Sequence, residues 1–410
     1  MNKKFLFLAL LAIGAVIVVV MFKAEPEIQV AEKDVSDGGV KIGIALGFTG
    51  PAESLAEPMA RGAELAIKEV NAAGTLLDNA KVDVVRADST CVDASAAAAA
   101  AERLVSAEKV DSIIGGLCSG ATISMLQNVA MPKGVVLFSP SATSPALSTL
   151  EDNGFFFRAS PSDARQGQII AEILMEKGHK TIAMTYTNND YGKGLADAVQ
   201  SNFEAAGGKV TINTPHEDGK GDYGAEVGAL AQAGGDILVV VGYLDQGGKG
   251  IIQSALDAGA FDRFFLPDAM IGDSLVKAIG PDLDGAIGSV PGTDSAGAET
   301  FTKLAKADGF EAGPYSPESY DAAALTLLAM QAANSKDSKV FMNKVFDVAN
   351  APGEKIFPGE LAKALKILKS GGEIDYVGAT AVELIGGGES AGSYREILVK
   401  GGQITTVQYR

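Results

Sequence analysis

The chain has 410 residues, of which 47% are hydrophobic and 21% charged, and its formal net charge is −17. The hydrophobic share is enough to build sizeable cores, and the length exceeds what a single core usually supports. The strong acidity argues against a surface for nucleic acid or anionic lipid, because such surfaces need Lys and Arg to neutralise phosphates. It places no limit on a small-molecule ligand.

The N-terminus predicts export. Lys3 and Lys4 precede an unbroken apolar run over residues 5–22, which is the pattern of a secretory signal. The run is also near the lower length limit for a membrane-spanning helix, and no cysteine follows it to carry a lipid anchor. We therefore expect residues 1–23 to be either a signal peptide or a retained N-terminal membrane anchor, and residues 24–39 to be a flexible acidic tether.

Beyond the tether, apolar strands alternate with amphipathic helices. The predicted strands are 40–46, 81–88, 110–116, 135–140, 181–186, 209–213, 236–242 and 264–268. The predicted helices are 58–74, 94–110, 121–134, 162–177, 191–206, 222–233 and 247–259. Such alternation is typical of parallel sheets with helices on both faces. The series restarts near residue 161, so we expect an α/β fold with two doubly wound parallel-sheet lobes.

The strand-to-helix turns are the candidate ligand sites, because ligands bind outside the carboxyl ends of the strands in such sheets. Turns 115–122 and 139–145 are rich in Ser, Thr and Gly and lack Lys and Arg. Free N–H groups at the helix starts make such turns suitable for a carboxylate. The second lobe supplies Tyr191, Tyr243 and Asp268, which suit an ammonium group and an apolar contact. The alternative is that Ser and Thr in these turns only cap helices.

Cys91 and Cys118 are the two cysteines of the chain. Cys118 lies in a Gly-Leu-Cys-Ser-Gly segment with the spacing of a nucleophile elbow, so a cysteine hydrolase is a remote alternative. Its histidine would have to be His179 or His216, and we place both in surface turns. In an exported protein a cysteine pair is more often a disulfide. The chain shows no spacing typical of a metal or cofactor site, so we predict no catalytic residue, no metal and no cofactor.

Seven segments carry a resemblance to a known family, and they are VKIGIALGFTGPA, GAELAIKEVN, DSTCVDASAAA, IIGGLCSGAT, FSPSATSP, NNDYGKGLA and PESYDAA. Through them, residues 40–410 resemble the periplasmic leucine/isoleucine/valine-binding proteins, which are the amino-acid receptors of branched-chain ABC transporters. It implies the type I periplasmic-binding-protein fold with a multi-segment hinge. Lobe one would comprise about 40–159 and 292–390, and lobe two about 160–291 and 391–410.

The resemblance also implies a ligand site and a disulfide. Cys91 would be bridged to Cys118, and Leu55 stands where branched-chain binders carry an aromatic residue, so the ligand's side chain is left open. Ser119 and Thr143 would bind the ligand carboxylate, together with the Ser141–Ala142 segment, whose backbone would face the ligand. Tyr191 and Tyr243 would line the pocket, and Asp268 would receive the ligand ammonium.

The function implied by the resemblance is transport. The chain would be a periplasmic, monomeric substrate-binding protein that captures an amino acid by lobe closure and delivers it to an ABC permease in the inner membrane. Residues 5–22 would tether it to that membrane if they are retained. No nucleic-acid partner is expected. The alternatives are a sensor of the same fold, or a binder of amides, urea or aromatic and other organic acids.

Overall fold

The computed structural model describes residues 39–410. The predicted signal or anchor segment, and the tether up to residue 38, lie outside the described residues. Within residues 39–410, no helix is both long enough and apolar enough to cross a membrane.

Strands and helices alternate as the sequence predicts. The strands are β1 Val40–Leu46, β2 Val82–Asp88, β3 Ser112–Gly115, β4 Val136–Ser139, β5 Phe156–Arg158, β6 Thr181–Thr187, β7 Lys209–His216, β8 Ile237–Val241, β9 Phe264–Leu266, β10 Ile287–Pro291, β11 Glu354–Ile356, β12 Ile374–Tyr376, β13 Leu384–Ile385, β14 Glu389–Ser390, β15 Tyr394–Lys400 and β16 Gln403–Tyr409.

The α-helices fall mainly between the strands and cover the sheets. They are α1 Glu53–Ala73, α2 Ala94–Glu102, α3 Ser119–Met125, α4 Met131–Lys133, α5 Asp163–Glu176, α6 Asp190–Ala205, α7 Gly224–Ala233, α8 Gly247–Asp257, α9 Asp273–Ile279, α10 Ala296–Ala307, α11 Ser316–Ala333, α12 Ser338–Phe341, α13 Val345–Ala349 and α14 Leu361–Lys369. Single π-helical turns over 103–107 and 126–130 continue α2 and α3.

Two seven-stranded sheets form the two lobes, each lobe being a sheet with its flanking helices. The first sheet has the order β13-β14-β5-β4-β3-β1-β2 and the second β16-β15-β10-β9-β8-β6-β7. Five neighbouring strands of each sheet are parallel and follow the same order, namely β5-β4-β3-β1-β2 in the first sheet and β10-β9-β8-β6-β7 in the second. Strand β14 also pairs parallel with β5, while β13–β14, β10–β15 and β15–β16 pair antiparallel. The α/β fold with two doubly wound lobes is confirmed, and each lobe carries antiparallel strands at one edge.

The core extends across both sheets, and the parallel strands are apolar because helices cover both of their faces. All five residues of β8 are buried, and in β1 Ile42 pairs with Val84 on one side and with Ser112 on the other. In the first lobe, α11 packs against α1. Gly62 permits their close approach, since a Cβ there would lie 2.3 Å from the carbonyl oxygen of Ser316.

Some helices and strands begin or end at residues other than those predicted from the sequence. The predicted helix 58–74 begins earlier, at Glu53, with Pro58 inside it. Strand β7 continues three residues beyond the predicted 209–213, and it carries His216 into the interior. His216 is 1% exposed, its Nδ1 lies 2.9 Å from Thr185 Oγ1, and burial lowers its pKa to about 4. The prediction of a solvated surface turn was therefore wrong for His216. A hairpin turn over residues 386–388 joins β13 to β14.

The predicted disulfide is confirmed. Cys91 is bonded to Cys118 with a Cα–Cα distance of 5.3 Å, and both residues are buried. The bond joins the loop after β2 to the turn between β3 and α3, which carries Ser119. The cysteine hydrolase alternative loses its nucleophile, because the Cys118 sulfur is not a free thiol.

Replacing both cysteines with Ser should destabilise the protein. The crosslink spans a sequence separation of 27 residues. On the chain-entropy model its loss should cost about 3–4 kcal/mol of unfolding free energy. Differential scanning calorimetry of the wild type with and without reductant should show the same fall in Tm as the double variant. Equal melting temperatures in all three samples would contradict a stabilising crosslink.

Candidate functional site

A small cavity lies between the two lobes, at the carboxyl ends of their strands. Its volume is about 10 Å³, which is room for about one water molecule, so the lobes are closed on each other. A groove of about 490 Å³ elsewhere, near Ala351 and Pro352, contains none of the predicted site residues. The lining of the cavity is Leu55, Leu117, Cys118, Ser119, Ser141, Tyr191, Tyr243, Asp268, Ala269 and Tyr315.

The carboxylate of Asp268 is the charged group of this lining. Asp268 follows β9 and is 1% exposed. Tyr191 Oη donates to Asp268 Oδ1 at 2.8 Å, and Tyr315 Oη donates to Oδ2. Burial raises the pKa of Asp268 above its usual value, while the hydrogen bonds from the two tyrosines oppose the rise. Each oxygen accepts a hydrogen bond from one tyrosine hydroxyl, and hydrogen bonding by the Ala269 N–H and the Gln166 side chain also lowers the pKa of this carboxyl.

Two tyrosine rings form a wall beside this carboxylate. Tyr191 lies in the first turn of α6 and Tyr243 follows β8, and their rings stack with centroids 5.4 Å apart. Asn189 Nδ2 donates to Tyr243 Oη at 3.3 Å. The wall presents flat apolar surface next to a carboxylate, so it can accommodate either an aliphatic group or the face of an aromatic ring.

The first lobe contributes hydroxyl groups from the turns after β3 and β4. Ser119 Oγ accepts a hydrogen bond from the Ser144 N–H at 3.1 Å, so its own proton remains available. Ser141 Oγ donates to the Leu117 carbonyl at 2.9 Å, so its hydroxyl proton is already used in a hydrogen bond within the protein. The N–H groups of Ser141 and Ala142 both donate to Ser139 Oγ. In this closed form, the donors that this side of the cavity leaves available are therefore the Ser119 hydroxyl and the N–H groups of the first turn of α3.

Arg158 supports the turn after β4 from behind. It is 1% exposed, and its Nη1 donates to the carbonyls of Ala142 at 2.9 Å and Ser144 at 3.0 Å. Its Nη2 forms an ion pair with Glu389 at 2.5 Å. These bonds fix the orientation of the turn, because a guanidinium holds several acceptors in one planar geometry.

A second buried carboxylate, Asp163, lies near Asp268. It is fully buried, and neither of its oxygens has a hydrogen-bond partner of good geometry. Burial raises the pKa of Asp163 well above its usual value, and the charge of Asp268 raises it further. The neighbouring Thr143 hydroxyl and the charge of Arg158 oppose this rise. Two carboxylates this close and this buried disfavour holding two negative charges at once.

The structure brings five of the predicted site residues to the cavity, namely Ser119, Ser141, Tyr191, Tyr243 and Asp268. Ala142 and Thr143 are buried but lie outside its lining, and Thr143 Oγ1 has no hydrogen bond. Sequence reasoning missed Tyr315, Asp163 and Arg158. The PESYDAA segment begins at Pro317, and nothing in it signals that Tyr315, two residues earlier, adopts a left-handed backbone with φ of 63°. Among residues 39–410, no group of three or more His, Cys, Asp or Glu side chains is arranged to hold a metal ion.

Comparisons with known proteins agree with this fold. Residues 39–354 match the sequence profile of the family described as periplasmic binding protein. A Leu/Ile/Val-binding protein homolog 1 from Brucella melitensis is 30% identical over 323 residues, which is 77% of this chain and 82% of the relative.

Two solved structures show the same fold. One is the branched-chain amino acid transporter substrate-binding protein of Streptococcus pneumoniae in complex with isoleucine, with a TM-score of 0.75, 22% identity, and coverage of 91% of this chain and 99% of that one. The other is a solute-binding protein of an ABC transporter from R. palustris in complex with benzoate, with a TM-score of 0.74, 19% identity, and coverage of 91% and 96%.

Asp163→Asn should raise the thermal stability of the ligand-free protein at pH 7. The pKa of Asp163 is raised in the folded protein, whereas in the unfolded chain it keeps its ordinary value of about 3.8. At pH values between these two pKa values the folded protein holds a proton on Asp163 that the unfolded chain has released. Raising the pH through this range therefore lowers the free energy of unfolding. The amide removes this penalty, so its advantage in Tm should be large at pH 7 and small at pH 4.

The control for this prediction is Asp262→Asn, since Asp262 is an exposed residue of the same lobe. Its Tm should follow that of the wild type at both pH values. A variant Asp163→Asn that melts below the wild type at pH 7 would contradict the assignment of a buried, disfavoured charge.

Proposed function

Because the chain belongs to the periplasmic binding proteins of the Leu/Ile/Val-binding type, we propose that it is the substrate-binding protein of an ABC transporter. It captures an amino acid between its lobes and delivers it to a membrane permease. The observation that supports this best is the pairing of opposite chemistry across the cavity. Asp268 accepts on one side, and hydroxyl and amide donors lie on the other.

A zwitterion fits this pairing. Its ammonium supplies a positive charge beside the buried Asp268 and Asp163, and its carboxylate accepts hydrogen bonds from the Ser119 hydroxyl and from the N–H groups that begin α3. The N-cap residue of α3, Cys118, makes no side-chain hydrogen bond to those groups. Thr143 is assigned to the carboxylate subsite together with Ser141 and Ala142, because all three residues belong to the turn after β4.

Ligand entry requires the lobes to separate, since the cavity holds only about 10 Å³. Three segments of chain cross between the sheets, near 159–160, 290–292 and 392. Small changes in φ and ψ at a few such positions are enough for hinge closure. The closed surface then differs from the open one, and the permease recognises that difference.

We place the protein on the outer side of the cytoplasmic membrane, in the periplasm. Its relatives are named as Leu/Ile/Val-binding proteins, and the N-terminal sequence has the pattern of an export signal. We expect it to act as a monomer and to bind its ligand without a cofactor and without catalysis.

A second candidate ligand is an aromatic acid. The stacked Tyr191 and Tyr243 rings can face a benzene ring, and the two tyrosine hydroxyl groups already occupy one acceptor position on each oxygen of Asp268. An aromatic acid has no ammonium, so it would require Asp268 to remain protonated in the closed form. An amino acid therefore requires an ionised Asp268 in the closed form, and an aromatic acid requires a protonated one.

A thermal-shift screen of the twenty protein amino acids, together with benzoate and 4-hydroxybenzoate, tests the proposal. A ligand present at 100 times its Kd should add about 2.7 kcal/mol of stability. A shift with at least one amino acid, and none with the two aromatic acids, supports the amino-acid assignment. The reverse pattern would replace it with the aromatic-acid assignment.

Asp268→Asn separates the two ligand classes. The change is nearly isosteric and removes the charge, so the affinity for an amino acid should fall by about 2–5 kcal/mol, as when one member of a buried charge pair is truncated. Isothermal titration with the amino acid of largest thermal shift measures the loss, with Asp262→Asn as the exposed control. Unchanged amino-acid affinity in Asp268→Asn would remove the main support for an ammonium subsite.

A further inference from the structure

One rim of the cleft is closed by three side chains that do not line the cavity. They are Ser54 at the start of α1 in the first lobe, and Asp245 and Ser274 in the second, and we call them the rim cluster. Asp245 Oδ2 accepts a hydrogen bond from the Ser54 N–H at 2.9 Å, and the Asp245 N–H donates to the Pro51 carbonyl at 3.0 Å. The segment that contains Asp245 therefore binds the first lobe through both its backbone and its side chain.

Helix α1 lacks a cap of its own. Its N-cap residue is Ala52, which makes no side-chain hydrogen bond, although the helix has 21 residues. The N–H groups of Glu53 and Leu55 donate to the backbone carbonyls of Gly50 and Ala52, so the Ser54 N–H is the amide of this turn that needs an outside acceptor. The carboxylate of Asp245 supplies the missing acceptor from the other lobe. A negative charge at a helix N-terminus is stabilised both by the N–H groups and by the helix dipole.

The second lobe holds this carboxylate in place. Ser274 Oγ, at the start of α9, donates to Asp245 Oδ1 at 2.7 Å. Ser274 Oγ also lies 3.1 Å from Ser54 Oγ, so a hydroxyl contact crosses the rim beside the carboxylate. At the opposite rim, Ser144 Oγ donates to the Asp190 carbonyl at 3.0 Å, which is a contact between neutral groups.

We propose that Asp245 is an affinity-determining latch that caps α1 only when the lobes are closed. In the open form the carboxylate and the Ser54 N–H are separately hydrated, so the contact stabilises the closed form without touching the ligand. The role rests on the proposed function, in which closure accompanies capture. Apparent affinity scales with the population of the binding-competent form, so loss of a helix cap should weaken binding by about 3- to 30-fold.

The test combines binding with a measurement of closure. Spin labels on Ser95→Cys in the first lobe and Gln232→Cys in the second report the inter-lobe distance by pulsed electron resonance. The distance is measured without ligand and with each of the twenty protein amino acids as probes. Asp245→Ala should shift the distance distribution towards the open form. It should also raise the Kd of the bound amino acid by the same factor that it lowers the closed fraction.

Two further variants separate capping from general damage. Asp262→Ala, an exposed change in the same lobe, should leave both readings unchanged. Asp245→Asn keeps an acceptor oxygen and should retain part of the closed fraction. The Tm of ligand-free Asp245→Ala should fall by no more than the loss of one helix cap allows.

The outcomes distinguish the latch from the function on which it rests. If no amino acid binds the wild type, the proposed function fails. The inter-lobe distance distributions of the ligand-free wild type and Asp245→Ala then still test whether Asp245 favours the closed form. Identical distributions in the wild type and Asp245→Ala, both with and without probes, would overturn the latch. A loss of affinity without any shift towards the open form would also overturn it, because Asp245 would then act by another route.

Discussion

The closed arrangement depends on burying the carboxylate of Asp268 between the lobes. A buried charge without partners is strongly unfavourable, and the protein reduces that cost with one tyrosine hydroxyl donor from each lobe. Tyr191 comes from the second lobe and Tyr315 from the start of α11, which packs in the first. The same carboxylate therefore joins the lobes, and its described contacts include no Lys or Arg. A cationic group in the cleft would supply the opposite charge that these contacts of Asp268 lack.

The position of Asp268 relative to the first lobe is set by elements that are far apart in the sequence. The repeated strand order of the two sheets places both sets of carboxyl ends at one cleft. Gly62 lets α11 approach α1, and this contact fixes the start of α11, where Tyr315 lies. Arg158, at the end of β5, orients the turn after β4 through its carbonyl oxygens. The site is thus a consequence of packing that reaches well beyond its lining.

The sequence predicted those features that have a local cause. Strand β1 occupies the predicted 40–46, because a run of β-branched residues identifies it, and the strand-to-helix turns mark the site because parallel sheets bind ligands there. Tyr315 could not be predicted, since its role depends on a left-handed backbone at the start of α11 and on a contact across the cleft. His216 was misplaced because β7 is longer than its apolar pattern.

The missed residues share a physical cause. Asp163 follows Ser162, which caps α5, so by its local pattern it is an ordinary acidic residue in a first helical turn. Only the assembled structure shows that this turn is buried beside Asp268. Arg158 likewise ends a short strand, and its partner Glu389 is distant in sequence. Charges buried by contacts between distant segments leave no periodic signal in a single sequence.

The rim cluster and the cavity wall are coupled through the chain itself. Leu55, which lines the cavity, directly follows Ser54, and only Leu244 separates Tyr243 from Asp245. The hydrogen bond from the Ser54 N–H to Asp245 therefore limits how far the Leu55 wall can stand from the Tyr243 wall. A ligand with a bulky side chain would have to separate these walls and lengthen that bond. If Asp245 acts as the proposed latch, ligand size and rim closure compete, and the rim contributes to selectivity together with the groups that touch the ligand.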